Sequence, residues 1–86
     1  MKLGISSGSC RVSFEEGDAF TGKSVLLSGE RELGGFLFQP HQMDWIVVDN
    51  EGLKQLYPVK DEEKDALIDY IIAEGQKQNY RFTLWL

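Results

Sequence analysis

Three groups of side chains in this chain are of types that could do chemistry. Residues Gly17-Asp18-Ala19-Phe20-Thr21-Gly22-Lys23-Ser24 spell G-x-x-x-x-G-K-[ST], the phosphate-binding loop. That chemistry needs the loop to run from a strand into a helix N-terminus, so that backbone amides and the helix dipole face the phosphates. Here Val25-Leu26-Leu27-Ser28-Gly29 follows, which does not read as a helix, so the string is expected to be a hairpin loop and no nucleotide or other cofactor is expected. Cys10 and His41 are the only residues of their kinds. A thiol nucleophile needs a base close by, yet Cys10 shares its parity with Val12 and Phe14, which predicts a buried, inert thiol, and His41 beside Pro40 reads as a solvated turn residue. One His and one Cys also cannot supply the four ligands of a zinc site.

The third group is acidic. Asp61, Glu62, Glu63, Asp65, Asp69 and Glu74 stand against Lys64 and Lys77, a net charge of −4 over one predicted helix. Solvated acids on a helix surface keep ordinary pKa values and make poor acid–base pairs. A solvated helix face explains much of this charge, though an excess of one sign can also steer a basic partner.

The elements that must position these residues are read from periodicity. Cys10, Val12 and Phe14 alternate with Arg11 and Ser13, which predicts a half-buried strand over 9–14. A turn at Glu15-Glu16-Gly17-Asp18 leads to a second strand over 23–29. Glu30 to Leu33 read as a polar connection, followed by a third strand from Gly34-Gly35 through Gln39, stopped by Pro40, and a fourth over 43–48. Leu53 to Tyr57 fit either a strand or a turn. The helix is predicted over 61–78 with Asp61 as N-cap, acids in the first turn and Leu67, Ile68, Ile71 and Ile72 as its apolar stripe. Tyr80, Phe82, Leu84 and Leu86 alternate in a closing strand. The expected fold is α+β: an antiparallel meander, one helix packed on one face, and a closing C-terminal strand in a single domain over 9–86, with 1–8 as a flexible arm. Leu37 and Trp85 fall on the parity away from the helix, so the second sheet face is expected to be partly apolar.

Composition sets the outer bounds. The chain has 86 residues, 42% hydrophobic and 12% aromatic, which suits one compact core and excludes a two-domain enzyme. A net charge of −5 repels a phosphate backbone, so nucleic acid is not an expected partner. No apolar run is long enough to span a bilayer, and the first residues lack the apolar body of a signal peptide. A single cysteine fits a reducing cytoplasm.

Several of these marks occur together: the Gly-led aromatic strand Gly34-Gly35-Phe36-Leu37-Phe38, Trp45 nine residues past Phe36, the helix opening Asp61-Glu62-Glu63-Lys64 backed by Leu67, Ile68 and Ile71, and a closing strand. In this combination, over roughly 9–84, the chain resembles a family of small bacterial immunity proteins from polymorphic toxin and contact-dependent inhibition systems. It departs from that pattern after Trp45, where Ile46-Val47-Val48-Asp49 replace an acidic residue and prolines. The resemblance implies a non-enzymatic protein that binds and neutralises a cognate toxin domain. The acidic charge adds that the toxin is basic, as a nuclease is. Asp61, Glu62, Asp65 and Asp69 are the candidate charges and Trp45, Tyr57 and Trp85 the candidate aromatic anchors. The alternative expectation is a structural or assembly subunit, of a phage or a secretion system, that self-associates through its sheet. The oligomeric state is open at this stage.

Overall fold

A computed structural model describes residues 1–86. It contains six strands and one helix: β1 (Lys2–Ile5), β2 (Ser9–Ser13), β3 (Ser24–Glu32), β4 (Gly35–Val48), β5 (Lys54–Pro58), α1 (Asp61–Lys77) and β6 (Arg81–Leu84). The first five strands form an antiparallel meander in chain order, and β6 lies parallel to β4. On one side β4 pairs with β3; on the other its first half takes β6 (Gly35↔Arg81 to Phe38↔Leu84) and its second half takes β5 (Asp44↔Pro58 to Val48↔Lys54). The architecture is therefore the expected α+β layer, with one helix over one face of the sheet.

Alternation decides which face. Cys10, Val12, Val25, Leu27, Phe36, Phe38, Met43 and Phe82 all point to the helix side, where Leu67, Ile68 and Ile71 close the core with Phe14 and Val59. Every buried side chain is apolar. Burial on this scale is the main stabilising term, since each large apolar side chain removed from water is worth about 1.5–3 kcal/mol. Gly75 lets α1 approach the sheet: a Cβ there would lie 2.6 Å from the Phe82 ring. The helix then stops in a Schellman motif, in which Tyr80 N–H donates to the Gly75 carbonyl and Asn79 N–H to that of Gln76, with Asn79 left-handed at φ 57°.

Four details differ from the sequence reading. Residues 2–5, read as a loose arm, form β1 and pair with β2 from Lys2↔Ser13 to Ile5↔Cys10, because Leu3 and Ile5 extend the apolar parity of β2 by one strand. Glu30 to Glu32 belong to β3 rather than to a connection. The third and fourth predicted strands are one 14-residue strand running through Pro40. Proline is tolerated because the β3 ladder jumps from Gly29↔Phe38 to Leu27↔Met43, and the other ladders end at Phe38 and resume at Asp44; Pro40 sits in a gap on both sides and owes no donor to either. Finally, Lys60 and not Asp61 is the N-cap, with extended backbone and no side-chain cap bond. The Val59 N–H is held by the Met43 carbonyl at 2.9 Å, which keeps the chain extended through Lys60 and makes Asp61 the first helical residue.

The open segment Leu53 to Tyr57 resolves as strand, since Lys54–Pro58 form β5. The second sheet face carries half-exposed Leu26, Leu37 and Ile46 among Ser9, Ser13, Ser24 and Ser28, so it is partly apolar as expected. No helix is long and apolar enough to cross a membrane.

Candidate functional site

The β4–β5 hairpin carries apolar side chains on both of its faces. Trp45 stands opposite Tyr57 on the helix side, with Val47 beyond it; Ile46 stands opposite Leu56 on the other side, with Val48 beyond it. Neither face is covered at the tip. Nine large apolar residues are exposed in the whole chain, and five of them (Val47, Val48, Leu53, Leu56 and Tyr57) lie on this hairpin or its turn. The turn itself is rigid, because the Asp49 carboxylate accepts the backbone N–H groups of Glu51 and Leu53, each at 2.9 Å.

Beside the hairpin, the β3 ladder ends at Ser24↔Ile46, two residues before β4 does. This leaves an open notch of about 460 Å³ bounded by Gly22, Lys23 and Ser24 on one wall and by Trp45 to Val48 and Tyr57 on the other. Lys23 lays its ammonium 4.9 Å from the centre of the Trp45 ring, a cation–π contact. Trp45 is further braced by Phe20, which in turn touches Phe14 and Tyr70 with ring centres 5.6 to 6.2 Å apart. One aromatic path thus runs from the helix to the hairpin.

The phosphate-loop string occupies the β2–β3 loop and the first residue of β3, with no helix beginning there. Its residues do other work. Asp18 accepts the Tyr70 hydroxyl at 2.8 Å, the Glu15 N–H at 2.8 Å and the Met1 α-ammonium at 2.9 Å, so one carboxylate joins the first residue, the loop and α1. The ammonium, the Glu15 amide and the Tyr70 hydroxyl together pull the Asp18 carboxyl down to about 2, while burial and the hydrogen bond to Asp18 push the Tyr70 hydroxyl up to about 12. A lowered folded-state pKa contributes stability above the unfolded value of about 4, and that stability is lost as pH falls toward 2. Accordingly, Asp18→Asn should be less stable than the parent at pH 7 and the two melting temperatures should converge between about pH 4 and pH 2, as thermal melts across that range will show.

The four candidate acids share one side of α1. At about 100° per residue, Asp61, Asp65, Asp69 and Glu62 fall within a single arc of roughly 100°, and all four are exposed. Asp61 also pairs with Lys64 at 3.4 Å. The acidic first turn begins three residues after β5 ends, which places it next to the hairpin in the chain. Trp85 is not part of this grouping. Its N–H donates to the Phe38 carbonyl at 2.7 Å, so it lies past β6 beside the first half of β4, separated from the hairpin by Gln39 to Gln42. Cys10 is fully buried, and burial pushes its thiol up to about 11, which removes it as a nucleophile, while His41 is exposed on β4. No group of three His, Cys, Asp or Glu side chains is placed to hold a metal.

Sequence reading singled out Trp45, Tyr57 and the acids but not Val47, Val48, Leu53 and Leu56. The signal was present: Trp45-Ile46-Val47-Val48 does not alternate, so both faces of that strand are apolar, and a single helix can cover only one. It also missed Phe20 and Tyr70, whose partners are distant in sequence and leave no local pattern. What the arrangement offers chemically is an exposed apolar and aromatic hairpin that leads, three residues on, into a helix whose exposed side is rich in carboxylates. No protein-family model matches this chain, and neither a curated protein nor a solved structure matches it significantly.

Proposed function

We propose that this chain is an immunity protein that binds the toxin domain made beside it, a basic nuclease, and occludes that domain without catalysing a reaction of its own. The observation that supports this reading most is the β4–β5 hairpin, where Val47, Val48, Leu53, Leu56 and Tyr57 are all exposed beside half-buried Trp45, a cluster of apolar side chains of the kind that marks interaction sites. Aromatic side chains on a rigid support lose little freedom on docking and dominate interface energetics. The carboxylates of Asp61, Glu62, Asp65 and Asp69 supply the second element. A nuclease cleft is basic because it holds phosphates, and a stripe of acids beside the anchor accelerates encounter with such a cleft.

The two elements act on different rates, which makes the reading testable by stopped flow against the cognate toxin domain at two ionic strengths. Reversing Asp61, Glu62, Asp65 and Asp69 to Lys should lower the association rate about tenfold or more and flatten its dependence on salt. Trp45→Ala or Tyr57→Ala should leave association nearly unchanged and raise the dissociation rate, by about thirtyfold for a loss near 2 kcal/mol. Trp85→Ala should change neither, because that ring lies away from the hairpin. If charge reversal leaves the association rate and its salt slope intact, the helix takes no part; if the hairpin substitutions leave dissociation intact, the toxin docks elsewhere.

A further inference from the structure

The outer edge of β5 has no partner strand. Which backbone groups it presents follows from two bonds at the ends of the hairpin. The Val59 N–H donates to the Met43 carbonyl and the Asp49 N–H to the Leu53 carbonyl, so the β4-facing residues of β5 are Gln55 and Tyr57. Lys54, Leu56 and Pro58 therefore turn their N–H and carbonyl groups outward. Proline has no N–H to leave unpaired, and it occupies an outward position, where that loss costs the β4 ladder nothing.

An unpaired edge of this kind accepts one sort of occupant, an extended strand. We infer that the occupant is β5 of a second copy of this chain, paired antiparallel about a two-fold axis through Leu56. In that register Leu56 meets itself, Gln55 meets Tyr57, and Lys54 meets Pro58. Four hydrogen bonds form: the two Leu56 residues exchange N–H and carbonyl, and each Lys54 N–H donates to the opposite Pro58 carbonyl. The missing donor of each Pro58 forgoes one bond at each end of this register, two in all. Charge favours a second copy over a basic partner. The two Lys54 residues stay about 13 Å apart, four residues along the strand. At each end Glu51 and Lys54 of one copy lie toward Lys60 and Asp61 of the other, one acid and one base from each, and all four are exposed. A basic strand would instead set its cations against Lys54. Leu56 and Leu53, 52% and 59% exposed in the single chain, flank the junction and would be covered by it. This pairing is argued from the strand edge and not from the toxin-binding reading, but both cover Leu56, so a paired edge and a docked toxin would compete for the hairpin.

The test is site-directed cross-linking with sedimentation of the full chain. Across a hydrogen-bonded antiparallel pair the Cα atoms are about 5.5 Å apart, within disulfide reach. Leu56→Cys should thus give a covalent dimer under mild oxidant, while Lys54→Cys should not; buried Cys10 does not compete. The parent chain should dissociate on dilution, and Leu56→Pro, which removes an outward N–H and leaves the β4 ladder whole, should weaken association at least tenfold. Leu56→Lys serves the same purpose if the proline variant does not fold. Two chains of charge −5 repel, so self-association should tighten as salt rises, whereas binding to a basic toxin should weaken. Opposite salt slopes keep failure of the one distinct from failure of the other. A parent chain that stays monomeric up to about 1 mM, or Leu56 variants that associate as the parent does, would overturn the inference.

Discussion

Gly35→Ala should destabilise the chain by about 3 kcal/mol or more, which for a domain this small is a fall in melting temperature of roughly 12–24 °C. A Cβ at residue 35 would lie 2.0 Å from the Arg81 carbonyl oxygen and 2.9 Å from its carbon, both backbone atoms that no rotamer change can move. Relief requires parting β4 from β6 at the first pair of their ladder, Gly35↔Arg81. The next pair is Phe36↔Phe82, two buried core rings. Loss of this junction also frees the end of α1, because Tyr80 N–H and the Phe82 ring both contact Gly75. The substitution is therefore felt by strand, helix and core at once. A denaturant melt monitored at two wavelengths measures it; a shift under 1 kcal/mol would mean that β6 is not held as described.

Ile71→Ala comes second, at about 2–5 kcal/mol, because Ile71 is fully buried at the centre of the helix stripe and its loss leaves a cavity under β2 to β4. The comparison is Ile72→Ala. Its side chain is only partly buried, so the same chemical deletion should cost clearly less. Equal costs at the two positions would mean that α1 is rotated about its axis relative to the sheet. The orientation bears on the proposed docking, since the same rotation decides whether Asp61, Asp65 and Asp69 face solvent together.

Local periodicity made most of this architecture legible. Cys10, Val12 and Phe14 marked β2, and Leu67, Ile68 and Ile71 marked the buried face of α1, because a two-residue and a 3.6-residue period each require only near neighbours. What escaped depends on residues far apart in the chain. Pro40 looked like a strand end, and only the three ladders meeting at β4 show that its missing donor is not needed. The strand Lys2–Ile5 looked like an arm, since its value lies in pairing with β2 and not in its own pattern. Asp61 looked like a cap, but the Val59–Met43 bond fixes the helix start one residue away. The candidate site follows the same division. Acids on a helix and aromatic residues in strands can be counted, whereas the convergence of Lys23, Phe20 and Trp45, and the distance of Trp85 from them, are products of topology.

The central claim is that the β4–β5 hairpin, flanked by the acidic first turn of α1, is where the partner docks. Amide hydrogen exchange of the dilute chain, alone and mixed with the toxin domain proposed as its partner, tests this most directly. The account predicts new protection at residues 47–57, with lesser protection at 61–65 and none at Trp85. Protection confined to β1 and β2, to the open face around Leu26 and Leu37, or to the β6 end near Trp85 would contradict it.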